Sequence, residues 1–459
     1  MKLKFLGGAR TVTGSCFYLT VGDHKVLIDC GMYQGPDAET VNKMDFGFDP
    51  AEISCLFLTH SHLDHIGLVP RLVKGGFRGK IITTSAAADI AELILYDSAH
   101  IQEADTEWFN RKALRTGLEL KEPLYIRKDV DRVLPFIERK HYGKIETLFD
   151  GVTYRFVDAG HILGSSTLEL WCREEGREKK FVFSGDIGKK DNPIVNDPVF
   201  VEETDYLTIE STYGNRDHKG MNESIDELVD VIKDTFKRGG NVIIPSFALG
   251  RTQDLLFILN KLVKENRLFR INVYIDSPLA EGITRVYEAH QEYFDVEAKK
   301  LFITESSDAL RIHFTTGTED SMKLNRIKKE AIIIASSGMC EGGRIKHHLK
   351  HNLWRRESSI VFVGYQAEGT LGRQIVDGAR HVEVLGENIV VRARIHTLGG
   401  FSAHADRTEL LGWISSFKQT PEIFIVHGEK QASLDFQKVI DAKFHCRTHV
   451  PSKGEEFEL

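Results

Sequence analysis

The chain has 459 residues and a mass of 51.9 kDa, too long for one compact core, so two or three domains are expected. Sixty Lys and Arg against 67 Asp and Glu leave a net charge of −7, which excludes a protein basic over its whole surface but allows a local basic patch. With 41% hydrophobic and 28% charged residues the composition is ordinary globular material, and no apolar run approaches the roughly 20 residues of a membrane helix.

In chain order, short β-branched and aromatic runs predict strands at 3–6, 16–21, 26–29, 55–59, 81–84, 153–158, 167–171, 181–184 and 206–210. A helix over 86–113 interrupts them, which suggests sheets covered by helices. From about 213 helices alternate with strands: 224–237 before 242–245, 252–265 before 273–275, and further helices before 332–335 and 360–363. That alternation predicts βαβ units on a parallel sheet. A helix (406–416), a strand (423–426) and a last helix (430–443) close the chain. The opening Met-Lys-Leu-Lys-Phe-Leu-Gly-Gly reaches glycine too soon for a secretory h-region. Six cysteines never fall as C-x-x-C, so buried reduced thiols in a cytoplasmic protein are expected.

The strongest chemical signal is Thr59-His60-Ser61-His62-Leu63-Asp64-His65, directly after an apolar strand. Strand alternation puts His60 and His62 on one side, while Asp64 and His65 sit on the following turn. Four ligand-type side chains in six residues can supply two adjacent cations with nitrogen and oxygen donors, a mixture that suits Zn²⁺.

This segment resembles the His-x-His-x-Asp-His signature of the metallo-β-lactamase superfamily. Asp29, in Leu27-Ile28-Asp29-Cys30-Gly31, resembles the family's aspartate that supports the ligand histidines. His161, in Ala159-Gly160-His161-Ile162, resembles its third-motif histidine, and Asp186, in Ser184-Gly185-Asp186, its bridging aspartate. Glu210 (Ile209-Glu210-Ser211-Thr212), His404 (Ser402-Ala403-His404-Ala405-Asp406) and His427 (Val426-His427-Gly428-Glu429) look like motifs A, B and C of the β-CASP branch, which cuts nucleic acids. A histidine at motif C resembles the RNA-acting members, similar to the nuclease subunit of the cleavage and polyadenylation specificity factor. The sequence shows neither the N-terminal RNA-binding extension of some archaeal members nor the C-terminal domain of the RNase J type, so guidance onto a specific RNA site is expected from elsewhere or not at all.

The resemblance implies an α/β fold: a metallo-β-lactamase αββα sandwich built from both chain ends (1–212 and 396–459) around an inserted β-CASP domain (213–395) with a mainly parallel sheet. It implies two Zn²⁺ per chain, one held by His60, His62 and His161, the other by Asp64, His65 and His427, with Asp186 bridging. Two such ions activate a hydroxide and clamp phosphate oxygens. His404 would protonate the leaving group, with Glu210 orienting it. The expected activity is hydrolysis of single-stranded RNA, by endonuclease or 5′-to-3′ exonuclease action, in a cytoplasmic protein with no membrane partner. A homodimer through the C-terminal region is admitted by the same likeness. Rival readings are a small-molecule lactone or thioester hydrolase on the same metal site, and a catalytically silent RNA-binding subunit.

Three strand–glycine–arginine junctions are candidate phosphate sites: Ser246–Arg251, Ser336–Arg344 and Gly364–Arg373. The resemblance points to Ser337, Arg344, Gln366, Thr370 and Arg373, and less to Arg251. Residues 213–395 carry 27 Lys and Arg against 25 Asp and Glu, and 323–356 carries nine against two, a local basic stretch. Trp108, Trp171, Trp354 and Trp413 are expected in core or interface packing, Phe401 in packing, and His347 and His348 on a solvated helix face.

Overall fold

The computed structural model describes residues 1–35, 37–301, 309–367 and 369–459. The chain divides into two compact units. The first comprises 1–191, 197–217 and 404–459, and the second 192–196 and 218–403. The second unit is thus an insertion, and 192–196 joins it by an isolated bridge between Val195 and Phe294.

Two seven-stranded sheets build the first unit. One runs Glu456–Glu458, Lys2–Gly7, Cys16–Val21, His24–Ile28, Cys55–Phe57, Lys80–Thr84, Ile137–Lys140; it is antiparallel in its first half and parallel from His24–Ile28 onward. The other runs Thr448–His449, Glu422–Val426, Tyr206–Glu210, Arg177–Phe183, Ser166–Glu174, Val152–Asp158, Glu146–Phe149. Strand alternation sends Phe5, Phe17, Phe57, Phe156, Phe181, Phe183 and Phe424 into one core between the sheets. The outer face of the first sheet is covered by the helices Val69–Lys74 and Ser85–Thr116, with Leu72, Ala91 and Leu95 in that layer. The outer face of the second is covered by Arg407–Ile414 and Lys430–Phe444, through Leu410, Trp413, Phe436 and Ile440. This is the expected αββα sandwich, closed by strands from both chain ends.

In the second unit six parallel strands run in the order Leu310–Phe314, Ile271–Asp276, Ala331–Ala335, Val242–Pro245, Ser359–Phe362, Arg394–Thr397. Near-continuous apolar strands such as Ala331–Ala335, fully buried, are what a sheet covered on both faces demands.

Several elements differ from the sequence expectation. The strand expected over 55–59 stops at Phe57 and that over 26–29 at Ile28, because both chains turn to present site residues. Ile137–Lys140 and Glu146–Phe149 pair as strands although Glu138, Arg139, Lys140 and Glu146 disguise their alternation. The hairpin Ser166–Glu174/Arg177–Phe183 extends into charged residues whose register is carried by the ladder rather than by hydrophobicity. Trp413 is buried, but Trp108 and Trp354 are 63% and 48% exposed, so neither is a core residue. His348, expected on a solvated face, is fully buried against Asp276.

Phe57 is fully buried, with ring centroids 5.0 Å from Tyr154 and 5.9 Å from Phe156 across the sandwich. Phe57→Ala is expected to cost the first unit about 3–5 kcal/mol, read as a lowered urea midpoint with its slope unchanged.

Candidate metal centre

The site is assembled at the C-terminal ends of the first unit's strands. After Cys55–Phe57 the chain runs extended through His60 and His62, then turns into the short helix Leu63–Ile66, which carries Asp64 and His65. Asp29 follows the neighbouring strand with φ 59°, a left-handed conformation that turns its carboxylate back toward that segment. Its two oxygens accept hydrogen bonds from Thr59 N–H (2.8 Å), Thr59 Oγ1 (2.9 Å) and His65 Nδ1 (2.7 Å). Gly31 is required here because a Cβ would lie 1.6 Å from the Asp64 carbonyl oxygen.

His161 sits in a loop tied by Ser165 Oγ, which accepts from the N–H groups of His161 and Ile162 at 3.0 and 3.2 Å. Asp186 follows the strand Arg177–Phe183. His427 ends Glu422–Val426 with φ 45°, and its Nδ1 lies 3.1 Å from Thr212 Oγ1. His404 bridges to Gly188 just before the helix Arg407–Ile414, whose start is fixed by the reciprocal capping of Asp406 and Glu409.

Two donor clusters result. His60, His62, His161 and Asp186 offer atoms all within 4.8 Å of one another, and so do Asp64, His65 and His427. Asp186 lies between them: its Oδ2 is 3.4 Å from His60 Nε2 and 3.7 Å from His161 Nε2, and its Oδ1 is 3.4 Å from His65 Nε2 and 3.4 Å from His427 Nδ1. Asp186, Glu210 and His404 form a third close group, with His404 Nδ1 3.1 Å from Glu210 Oε2 and 3.9 Å from Asp186 Oδ2. Glu210 is fully buried and its Oε1 accepts from Ile187 N–H at 2.6 Å.

The electrostatics suit cations. Burial pushes the imidazolium form of His60 down to about 3 and of His62 to about 4, and drives that of His161 well below its usual range. Neutral imidazoles are the ligand form. His62 Nδ1 faces His60 Nε2 at 3.1 Å and His161 Nε2 at 3.3 Å, a convergence of three ring nitrogens that one proton cannot satisfy. Burial would raise the carboxyl pKa of Asp64 and Asp186, but the facing histidines override it and hold both ionised, Asp64 chiefly through His427 and Asp186 through His427 and His65. Asp186 Oδ1 is buried without a hydrogen-bond donor. The donor set fits metal ions.

Comparison with known proteins agrees with this geometry. Residues 9–235 match the metallo-β-lactamase superfamily, 252–375 the Beta-Casp domain, and 388–451 the Zn-dependent metallo-hydrolase RNA specificity domain. The chain is 35% identical to Ribonuclease TTHA0252 of Thermus thermophilus, over 96% of each chain. It is 30% identical to an RNase J-like protein of Methanocaldococcus jannaschii, over 98% of each. The chain belongs to the β-CASP RNA nucleases of the metallo-β-lactamase superfamily. It is also 31% identical to the transcription termination factor FttA of M. jannaschii, over 98% of this chain and 70% of that protein. A solved protein of unknown function from Enterococcus faecalis V583 shares the fold alone, at 13% identity and TM-score 0.56, covering 100% of this chain and 99% of that one.

The phosphate-site candidates of this β-CASP chain all lie in the second unit, apart from the donor clusters in sequence. Most have their polar groups engaged internally. Arg344 donates to Asp276 (2.7 Å) and to the Thr315 and Thr316 carbonyls. Arg251 is buried on Asp254, and Arg373 donates to Asp377. Gln366 Nε2 donates to the Gly338, Gly364 and Tyr365 carbonyls, joining two of the loops. Thr370 caps the helix Leu371–Val376 by accepting from Arg373 N–H. Ser337 Oγ lies 3.4 Å from the Gly342 carbonyl oxygen. Glu368 lies outside the described residues.

Sequence reading missed Thr59 and Thr212. Both stand beside motif residues, but only the fold shows that their hydroxyls reach His60 Nδ1 and His427 Nδ1, each at 3.1 Å. Asp29→Ala leaves His65 Nδ1 and the Thr59 N–H without their acceptor. A fall of about 10–100-fold in metal affinity is expected, measured by competition with a chelating dye.

Proposed function

We propose that this chain is a zinc-dependent ribonuclease that hydrolyses single-stranded RNA, with two Zn²⁺ held by the paired donor clusters. The observation that carries the reading is the pair of clusters joined by Asp186 with a separate histidine–carboxylate couple, His404 and Glu210, against them. His60, His62 and His161 would hold one ion, Asp64, His65 and His427 the other, and Asp186 both. Bound metal would supply Lewis acidity, bringing the pKa of water near 7 and offsetting phosphate charge.

The remaining work falls to side chains. Asp29 holds the His65 ring by its Nδ1–H, which leaves Nε2 as the ligand atom. His404 is the general acid. Burial alone would lower its pKa, but the Glu210 carboxylate, aided by Asp186 and Asp64, raises it to about 9, so the ring is protonated at neutral pH. With Nδ1 against Glu210, Nε2–H would be the proton given to the departing 3′ oxygen. Water loses a proton to solvent and its oxygen bonds to phosphorus, the P–O3′ bond breaks, that oxygen takes the His404 proton, and the imidazole is reprotonated from solvent. The products carry a 5′-phosphate and a 3′-hydroxyl.

RNA contact by the second unit is part of the proposal. Ser337 and the backbone amides of its loop would meet phosphate, while Arg344 and Gln366 brace the loops from within. The names of the relatives support RNA as substrate: one is called a ribonuclease and another RNase J-like.

End-labelled RNA provides the test. Wild-type protein with zinc is expected to cleave; His404→Ala is expected to lose at least about 100-fold, the ordinary worth of a general acid, and Asp64→Ala to lose cleavage together with the metal ion it helps to hold. Undiminished cleavage by Asp64→Ala would sink the metal assignment. RNA labelled at each end in turn separates early mononucleotides (exonuclease) from mid-sized fragments (endonuclease).

The pH profile offers a second check. His404 must be protonated to act, so activity persists below its folded pKa and is lost as pH rises through it. Glu210→Gln removes the charge that raises that pKa, so the alkaline limb of kcat/KM is expected to move to lower pH.

A further inference from the structure

The strands of the second unit's six-stranded sheet are all parallel, so the segments that enter them lie at one end of the sheet and the segments that leave them at the other. At the leaving end stand the loops Ser336–Arg344 and Gly364–Arg373, whose terminal arginines are engaged by Asp276 and Asp377. At the entering end three segments come together: 326–330 before Ala331–Ala335, 353–358 before Ser359–Phe362, and 391–393 before Arg394–Thr397.

These segments are tied to one another through their backbones. The Leu353 carbonyl accepts from the N–H groups of Arg392 and Ala393, each at 2.8 Å. The buried Arg355 donates to the Lys328 carbonyl at 2.5 Å, and Asn241, just ahead of Val242–Pro245, donates to that of Ile327 at 2.7 Å. Arg326, Lys328, Lys329, Arg356 and Arg392 are all exposed on this fixed frame. The exposed carboxylates of the same segments are Glu330 and Glu357, so five cations face two acids. Among the described residues, none of Arg326, Lys328, Arg356 and Arg392 is held in an ion pair. The crowding of positive charge reaches His351, whose imidazolium is pushed below its usual range by burial and then by Lys350, His348, His347 and Lys328.

Trp354 stands within this surface and is 48% exposed. Arginines that can meet phosphate oxygens, set around an indole face open to solvent, are what a surface for unpaired nucleic acid requires: charge for the backbone and a flat ring for a base.

We propose that this end of the sheet is a second holding surface for single-stranded RNA, at which Arg326, Lys328, Lys329, Arg356 and Arg392 meet phosphates and Trp354 stacks on a base. The identity of the polymer rests on the ribonuclease reading. Phosphate contacts and one ring read no base edges, so the surface holds RNA without sequence preference. It acts on affinity and takes no part in breaking the bond.

Fluorescence anisotropy with a labelled oligouridylate, over a series of salt concentrations, tests it on the zinc-loaded full chain carrying His404→Ala to slow cleavage. Each phosphate contact to a single strand contributes about 0.7 to the slope of log affinity against log salt. Adding Arg356→Gln/Arg392→Gln is therefore expected to weaken binding and to reduce that slope by roughly 1.4. Trp354→Ala is expected to lose about 5- to 100-fold in affinity with the slope unchanged, and Trp354→Phe, which keeps a ring, to recover most of the loss. Lys112→Gln/Lys443→Gln removes the same charge from the first unit and is expected to bind like its parent. An arginine pair that keeps the parent's affinity and slope, or a control that falls as far as the arginine pair, overturns the surface. If wild type cleaves RNA in that case, the ribonuclease reading stands. A chain that neither binds RNA nor, with His404 intact, cleaves it overturns both.

Discussion

The Asp29 carboxylate is the clasp on which the centre depends. A residue in left-handed backbone, just past the strand His24–Ile28, reaches across to the end of the next strand and accepts three hydrogen bonds, two from Thr59 and one from His65. Those bonds fix where the strand Cys55–Phe57 ends, where the extended His60–His62 segment begins, and which nitrogen of His65 faces inward. Left-handed backbone at a non-glycine residue costs of order 1 kcal/mol, and three bonds to an ionised acceptor offset it. Elsewhere the same logic recurs at smaller scale. His427 takes a left-handed turn and is held by its N–H to the Gly8 carbonyl at 2.6 Å, while Thr212 supports its ring.

Around that clasp the centre is a balance of buried charges into which metal ions fit. Burial strips the proton from His60, His62 and His161, whereas Asp64 and Asp186 stay ionised against burial because imidazoles face them. Glu210 does the opposite for His404, holding it charged at the edge of the same cluster. The histidines are thus set apart by which carboxylate each one meets. The charge pattern of the second unit is resolved differently. Part of its basic stretch is engaged at home: Arg344 on Asp276, Arg355 on the Lys328 carbonyl, Lys350 on Glu387, Lys323 on Asp320, while Arg326, Lys328 and Arg356 are exposed.

What could be read in advance, and what could not, divides along physical lines. The motif His60–His65, and the later Asp186, Glu210, His404 and His427, were legible because their chemistry is dense and their neighbours are strand-forming. The parallel sheet of the second unit was legible because its strands, such as Ala331–Ala335, are buried on both faces and read as unbroken apolar runs. The strands Ile137–Lys140 and Glu146–Phe149 were not, since edge positions tolerate charge and carry no hydrophobic signature. His348 and Arg344 looked like solvated or phosphate-facing cations; Asp276, at the end of a distant strand, makes them internal braces.

By itself, then, the sequence determined the identity of the donor atoms, the order of the motifs and the class of each domain, since ligand chemistry and hydrophobic periodicity are local properties of a chain. Only the tertiary structure decided which donors share an ion's reach, that Asp186 stands between two clusters, and that Thr59 and Thr212 serve the rings beside them. Those facts depend on residues as far apart as 64 and 427 meeting at 3.3 Å. Proximity of that kind is produced by the packing of two sheets, and no spacing along the chain encodes it.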